Sequence, residues 1–404
     1  MKIGIIKETK IPVDNRVALT PAQLGQLKAQ YPYHIFKVQS SEIRAYTDDE
    51  YRKHGIQVVD NVDDCDMLFG IKEADITTLQ RGKHYVFFGH IAKMQPYNKP
   101  LFKTLINNRD TFSDYEYLID SDGKRLVAFG WYAGVVGMYY TLRGWGLRGD
   151  KYQLPAPHIN FSMQELISNL RSVDLGNIKI VVTGRGRVSK GAQYVLKEIG
   201  ATELSITEFQ NNEHPKGLVY CVANVEDLVK RRNDGGFNRE EFDSYPERYE
   251  SNFDRFAVSA DILVSCHFWA NNQPVYLAKD SFLVPDFRIR MIGDITCDIE
   301  GSIQSTVRSS THSDPYFDYN PYTGKEEKAF SSANNITVMA VDTCPNALPR
   351  ETSEYFGDQL IKYVLNDLLK GNLDTTPVLD KSTILYGGEL TERFNYLKDY
   401  IKTL

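Results

Sequence analysis

The chain of 404 residues is poor in the features that announce several protein classes. Its five cysteines, Cys65, Cys221, Cys266, Cys297 and Cys344, are scattered and odd in number, and no two are spaced as Cys-x-x-Cys. Neither a disulfide framework nor a zinc knot is signalled, so a reducing compartment and no metal centre are expected. Positive charge is not in excess: 47 Lys and Arg against 53 Asp and Glu leave a formal charge of −6, and no local basic patch stands out. Neither a nucleic-acid nor an anionic-membrane partner is therefore expected. Long apolar runs are missing too. The longest uncharged stretch, Leu126 to Leu142, includes Gly130, Gly134 and Gly137 and is short for a membrane span, so it reads as buried helix. The opening Met1-Lys-Ile-Gly-Ile-Ile-Lys meets charge too early for the apolar stretch of a secretory signal, which places the expected location in the cytoplasm. There is no internal repeat or low-complexity tract.

What is present is ordinary for a globular protein: 42% hydrophobic and 25% charged residues, with 25 Tyr and 20 Phe arguing against disorder. At roughly 150 residues per domain, two or three domains are allowed. Lys2 to Ile6 is β-rich, and Thr20 before Pro21 is a suitable N-cap for a helix. Short apolar runs at Phe36, Ile56, Met67 and Tyr85 alternate with helix-compatible segments, the pattern of a mainly parallel βαβ sheet. A long helix is expected from Phe129 to Leu147 and another from Glu351 to Leu369, the latter returning to the first domain. Residues 211–255 are polar and read as an insertion, and Ser309 to Ser332 reads as loop.

The strongest local pattern is Ile178-Lys-Ile-Val-Val-Thr-Gly-Arg-Gly-Arg-Val-Ser, an apolar strand running through Gly184, Arg185, Gly186 and Arg187 into a helix. Two glycines of a dinucleotide fingerprint are there, permitting a tight turn and close approach of backbone to a pyrophosphate at a helix N-terminus. The third is replaced by Ser189, with Gly191 two positions on. The acidic ribose ligand expected about 20 residues later is ambiguous. If Glu208 ends the second strand the site favours NAD; if Thr207 does, beside Arg185 or Arg187, it favours NADP.

Lys72 and His90 each follow an apolar run, where side chains at strand C-termini line a crevice. Two protonatable groups facing one cleft would be drawn toward neutral pKa values by burial and mutual repulsion, as acid–base catalysis requires. The bland alternative is a solvated loop lysine and a hydrogen-bonded core histidine. Arg16 is suited to clamp a carboxylate bidentately, or is simply a surface charge. Asp294 ends another strand-like run.

These residues sit in a set of motifs spread over the chain: Asn15-Arg-Val-Ala-Leu-Thr-Pro, Gly70-Ile-Lys, Gly89-His-Ile-Ala-Lys, Asp114-Tyr-Glu, Ala128-Phe-Gly-Trp-Tyr-Ala-Gly-Val-Val-Gly-Met, Val188-Ser-Lys-Gly-Ala-Gln, Tyr245-Pro-Glu-Arg-Tyr, Gly293-Asp-Ile-Thr-Cys-Asp and Leu348-Pro-Arg-Glu. Taken in this order, the chain resembles the alanine dehydrogenase and saccharopine dehydrogenase superfamily. It is most similar to the lysine-ketoglutarate reductase domain of bifunctional aminoadipic semialdehyde synthases, which carries the same serine at the Ser189 position. The resemblance implies an α/β fold of two Rossmann-like domains with parallel sheets and a cleft between them. The substrate domain would comprise residues 1–130 and 335–404, and the dinucleotide-binding domain residues 131–334.

The resemblance also implies an NAD- or NADP-dependent oxidoreductase that interconverts saccharopine with L-lysine and 2-oxoglutarate by imine formation and hydride transfer. Lys72 and His90 match the family's acid–base pair, with Glu116 the glutamate that tunes it. Arg16 and Gln95 match substrate contacts. Lys124 and Arg125 fall where fungal enzymes carry two arginines, Lys124 being a departure that weakens bidentate carboxylate binding. Gly184, Gly186, Arg187 and Asp294 match the cofactor side. An amino acid dehydrogenase of the alanine type and a non-catalytic nucleotide-binding regulator are the competing readings. Neither the physiological direction nor the oligomeric state is legible in the sequence.

Overall fold

The computed structural model describes residues 1–212, 215–371 and 373–402. The chain divides into two compact units, one formed by Met1–Phe129 with Pro349–Leu404 and the other by Gly130–Leu348. Each is built on an eight-stranded, mostly parallel sheet.

In the first unit the strands are β1 (Lys2–Ile5), β2 (Ile35–Gln39), β3 (Gln57–Val59), β4 (Met67–Phe69), β5 (His84–Phe87) and β6 (Thr111–Asp114). They lie side by side as β6-β5-β4-β1-β2-β3, all parallel, with two antiparallel strands, Thr383–Tyr386 and Glu389–Leu390, added outside β6. The order reverses between β1 and β4, and at such a switch point the loops leaving the strands diverge and open a crevice. The sheet is a core element because its central strands are largely apolar: β4 is buried at all three positions, and β1 and β5 at all but their first. The helix Pro21–Gln30 starts where Thr20 and Gln23 close a reciprocal cap. Its Gln23 Nε2 also donates to Asp358 Oδ1 at 2.7 Å, on the C-terminal helix Pro349–Leu360. That helix continues through a π turn, Ile361–Leu365, to Gly371, so the expected single long helix carries a bulge.

The second unit opens with the helix Gly130–Leu147. Its strands are β7 (Ile178–Thr183), β8 (Thr202–Glu203), β9 (Leu218–Ala223), a small antiparallel pair β10 (Val229–Arg231) and β11 (Tyr249–Ser251), then β12 (Ile262–Ser265), β13 (Met291–Asp294), β14 (Tyr316–Asn320), β15 (Lys325–Glu327) and β16 (Ile336–Met339). The main sheet runs β15-β14-β16-β13-β12-β7-β9-β8. Two stretches expected as insertion and loop therefore supply sheet strands: β9 lies within 211–255, and β14 and β15 within Ser309 to Ser332. β9 sits beside β7 for a physical reason. Its six largely buried residues pair with β7 along its whole length, from Ile178 opposite Leu218 to Thr183 opposite Ala223. β8 has two exposed residues and serves only as an edge. Among the described residues no helix is long and apolar enough to cross a membrane.

Candidate active site

β4 and β5 are hydrogen-bonded neighbours, and the pairing extends past the strands, with Phe88 N donating to Ile71 O at 3.0 Å. The two loops that follow carry Lys72, Glu73 and His90. His90 Nδ1 lies 2.9 Å from Glu73 Oε1, and Lys10 Nζ reaches the other oxygen at 2.5 Å. Although burial works the other way, the hydrogen bonds from His90 and Lys10 hold the Glu73 carboxyl down to about 2, so it is ionised beside the imidazole. The Lys72 ammonium forms no ion pair among the described residues. Burial, then the nearby Arg16 charge, push it below its ordinary value, against the opposing pull of Asp14 and Glu73.

His90 is held in a left-handed backbone conformation, φ 52°, which costs a non-glycine residue about 1–2 kcal/mol. The surroundings enforce it. The backbone N–H groups of Gly89 and His90 both donate to Asp114 Oδ2, at 3.1 and 3.0 Å, and Asn98 Nδ2 donates to His90 O at 3.0 Å. Asp114 Oδ1 accepts from Glu116 N at 2.9 Å, and burial raises the Asp114 carboxyl to about 6. One buried carboxyl thus sets the backbone positions of His90 and Glu116 together.

The loop after β1 brings a second buried group of charges. Glu8 accepts from the N–H of Ile71 at 2.6 Å and of Lys72 at 2.9 Å, fixing the Lys72 backbone, and burial and Asp14 push its carboxyl up to about 8. Arg16 is 3% exposed, with Nε and Nη2 on the two oxygens of Asp14 at 2.9 and 2.5 Å and its guanidinium 4.2 Å from the Phe129 ring centroid. Against the cost of burial, Arg16 holds Asp14 below the usual carboxylate range. The bidentate clamp expected for a substrate carboxylate is thus taken by the protein's own Asp14, which does not use Nη1.

Glu116 joins the group from beyond β6. Its Oε1 accepts from Arg125 at 2.9 Å, with Lys93 Nζ 3.5 Å away, while its buried Oε2 takes no hydrogen bond among the described residues. Arg125 is delivered by a tight return in which Leu126 N donates to Leu118 O at 2.7 Å. Lys124 and Gln95 are exposed. Lys124 N donates to Asp120 Oδ1, and Gln95 O accepts from the Tyr400 hydroxyl at 2.7 Å. The residues the sequence reading missed, Glu8, Asp14, Glu73 and Asp114, are the partners of those it found. Glu73 and Asp114 carried the same signal as Lys72, a place at a strand's C-terminal end.

In the second unit, the turn after β7 has Gly184 at φ 83°, where a side chain would also meet His267 Cα at 2.9 Å. Gly186 caps the helix Arg187–Glu198 without a side-chain hydrogen bond, and beyond its chain neighbours no atom of the described residues lies within 4 Å of where its Cβ would be. A glycine-lined space at a helix start whose N-cap residue has no side chain fits a dinucleotide pyrophosphate. Arg185 is ion-paired to Glu226. Two expectations need correction here. Glu208 and Thr207 do not end a strand. Both lie in the helix Ile206–Asn211, where Glu208 Oε2 accepts from Ser205 N at 2.9 Å and Ser205 Oγ at 2.6 Å in a capping box. Asp294 does end β13 but is fully buried, accepting from Thr296 Oγ1 and Thr306 Oγ1, each at 2.6 Å, so it holds the following loop in place instead of reaching solvent.

Residues 4–136 match the family model for the alanine dehydrogenase/PNT N-terminal domain. The chain is 28% identical to an alpha-aminoadipic semialdehyde synthase of Arabidopsis thaliana over 98% of its own length but only 41% of that protein's. It is 26% identical to the saccharopine dehydrogenase [NAD(+), L-lysine-forming] of Neurospora crassa, covering 89% of each. The chain thus spans less than half the length of the semialdehyde synthase it matches. Among solved structures, an L-alanine dehydrogenase superposes with a TM-score of 0.67 over 100% of this chain and 99% of that one, at 16% identity. That likeness bears on the fold, and with the two sheets it bears out the expected α/β architecture of two Rossmann-like domains. The resemblance read from the motifs is borne out by the same findings.

Proposed function

We propose that the chain is an NAD(P)-dependent amino acid dehydrogenase that joins the ε-amine of L-lysine to 2-oxoglutarate, forming saccharopine, and runs the reverse reaction. The observation that carries this reading is the Lys72–Glu73–His90 constellation. It offers a depressed ammonium on one strand-end loop and, on the neighbouring one, an imidazole anchored on an ionised carboxylate. Attack of an amine on a keto carbon needs a proton taken from the amine, and loss of water from the carbinolamine needs one delivered to its oxygen. Each transfer needs a proton-accepting or proton-donating group held at the reacting atom. Lys72 is suited to the first. His90, with Nδ1 directed at Glu73, has Nε2 for the second.

Carboxylates of the substrates are assigned to Arg125, to Gln95 and Lys124 on the exposed loops, and to the Nη1 edge of Arg16, with Glu116 tuning the charge of the group. Gly184, Arg185, Gly186 and Arg187 would hold the dinucleotide, which supplies the hydride that reduces the imine. The relatives' names support the substrate class. A matrix of NADH or NADPH against lysine, ornithine or ammonia, each with 2-oxoglutarate or pyruvate, tests it. Loss of the reduced nicotinamide's near-ultraviolet absorbance is expected only with lysine and 2-oxoglutarate together. Turnover with pyruvate and ammonia in its place overturns the reading.

A further inference from the structure

In a dinucleotide-binding sheet, the acidic group that reads the adenosine ribose stands at the C-terminal end of the strand next to the one leading into the glycine turn. By chain order that strand would be β8, which directs attention to Glu208. The sheet is ordered differently. β9 separates β8 from β7, so β8 is two strand spacings, roughly 10 Å, away from β7. Glu208 lies beyond that edge strand, and its carboxylate is already engaged by Ser205.

The end of β9 abuts the glycine turn directly: Gly184 N donates to Ala223 O at 2.8 Å. The chain then turns sharply. Asn224 N donates to Asp227 Oδ2 at 2.9 Å, and Asn224 O accepts from Asp227 N at 2.8 Å and Leu228 N at 3.1 Å. This turn presents Glu226 to Arg185, between the two fingerprint glycines, and the two side chains pair. Both remain substantially exposed, 39% for Glu226 and 68% for Arg185.

We infer that Glu226, at the end of the strand beside the glycine turn, recognises the adenosine ribose and gives the chain a preference for NADH over NADPH. The inference rests on the dinucleotide reading above. A carboxylate there accepts hydrogen bonds from the ribose 2′- and 3′-hydroxyls. A 2′-phosphate in the same place meets like charge, and Arg185, a cation able to offset it, is held by Glu226.

Equilibrium binding of NADH and NADPH to the full chain, followed by nicotinamide fluorescence, tests this without relying on turnover. The wild type is expected to bind NADH more tightly. Glu226→Gln removes the repulsion and releases Arg185, so the NADPH-to-NADH ratio of Kd values falls by about tenfold or more. Adding Arg185→Ala to Glu226→Gln abolishes the gain in NADPH affinity. Because both residues are surface groups, melting curves of the variants serve as the folding control. A ratio unmoved by Glu226→Gln overturns the assignment, as does a ratio that moves in Glu208→Gln alone. A wild type that binds neither dinucleotide overturns the functional reading and this inference with it, whereas binding with an unmoved ratio overturns this inference alone.

Discussion

His90 Nδ1 lies 2.9 Å from Oε1 of Glu73, the residue that directly follows Lys72 in the chain. Two adjacent parallel strands, each ending one loop short of a protonatable group, suffice to build this relationship, and Glu73 couples the two groups into one electrostatic unit. Lys72→Met keeps the length of the side chain and removes its proton. Turnover is expected to fall by about 10²–10⁴-fold, the usual worth of a positioned acid–base group. The Kd for reduced nicotinamide, measured on the same preparation, stays where it was. A variant retaining full kcat would remove Lys72 from the acid–base assignment.

Glu73→Gln makes a finer test. The amide still accepts from the imidazole, yet it carries no charge to stabilise an imidazolium and no longer pairs with Lys10. The expected result is a kcat lowered by about tenfold or more, short of the complete loss of an acid–base group, with KM and cofactor binding little changed. A change in KM alone would reassign Glu73 to substrate binding.

Most of the fold was readable because strand runs and caps are local: Met67–Phe69 is apolar at every position, and Thr20, Pro21 and Gln23 spell out a helix start. Strand order is not local. Nothing in Leu218–Ala223 says that it inserts between β7 and β8; that follows from how well six largely buried residues cover β7 compared with two exposed ones. The same distinction divides the site. Lys72 and His90 are marked by position at strand ends. The capture of Arg16 by Asp14, only two residues away, and the engagement of three N–H groups by Asp114 depend on burial that spacing does not reveal.

His84 gives the first unit a pH-sensitive element outside the Lys72–Glu73–His90 group. Its Nε2 lies 2.8 Å from Ser113 Oγ, which in turn meets Thr383 Oγ1 at 2.8 Å, and burial lowers the imidazole to about 4 from its ordinary 6.5. A base whose folded pKa is depressed contributes stability while it is neutral in both states. The contribution is present above about 6.5, declines as the unfolded chain takes up the proton, and is gone as pH falls through about 4, at on the order of 1.4 kcal/mol per unit of displacement. Melting temperature is therefore expected to drop over that acidic window. His84→Gln, which keeps a hydrogen-bonding amide, should flatten the slope. An unchanged slope in the variant would assign the acid sensitivity to other groups.

The glycine absent from the fingerprint has a counterpart two positions later. A Cβ on Gly191 would stand 1.9 Å from Trp131 O, and one on Gly134 would stand 1.8 Å from Val188 O, so the helices Gly130–Leu147 and Arg187–Glu198 cross in backbone contact. Backbone cannot swing aside as a flexible side chain can. Gly191→Ala is expected to cost the second unit about 3 kcal/mol, at the upper end of what overpacking does in a well-filled core. Ser189 occupies the fingerprint position itself. It is buried, with Oγ accepting from Gln193 Nε2 at 2.9 Å, and Ser189→Ala removes one such bond, worth about 1 kcal/mol. Denaturant titrations of both variants, with NADH binding as a second readout, compare the two positions directly. If Ser189→Ala proves the more damaging, close packing in this unit depends on the serine and not on the helix crossing. If Gly191→Ala does, the structural demand that a third glycine ordinarily meets has moved to the face that carries the long helix.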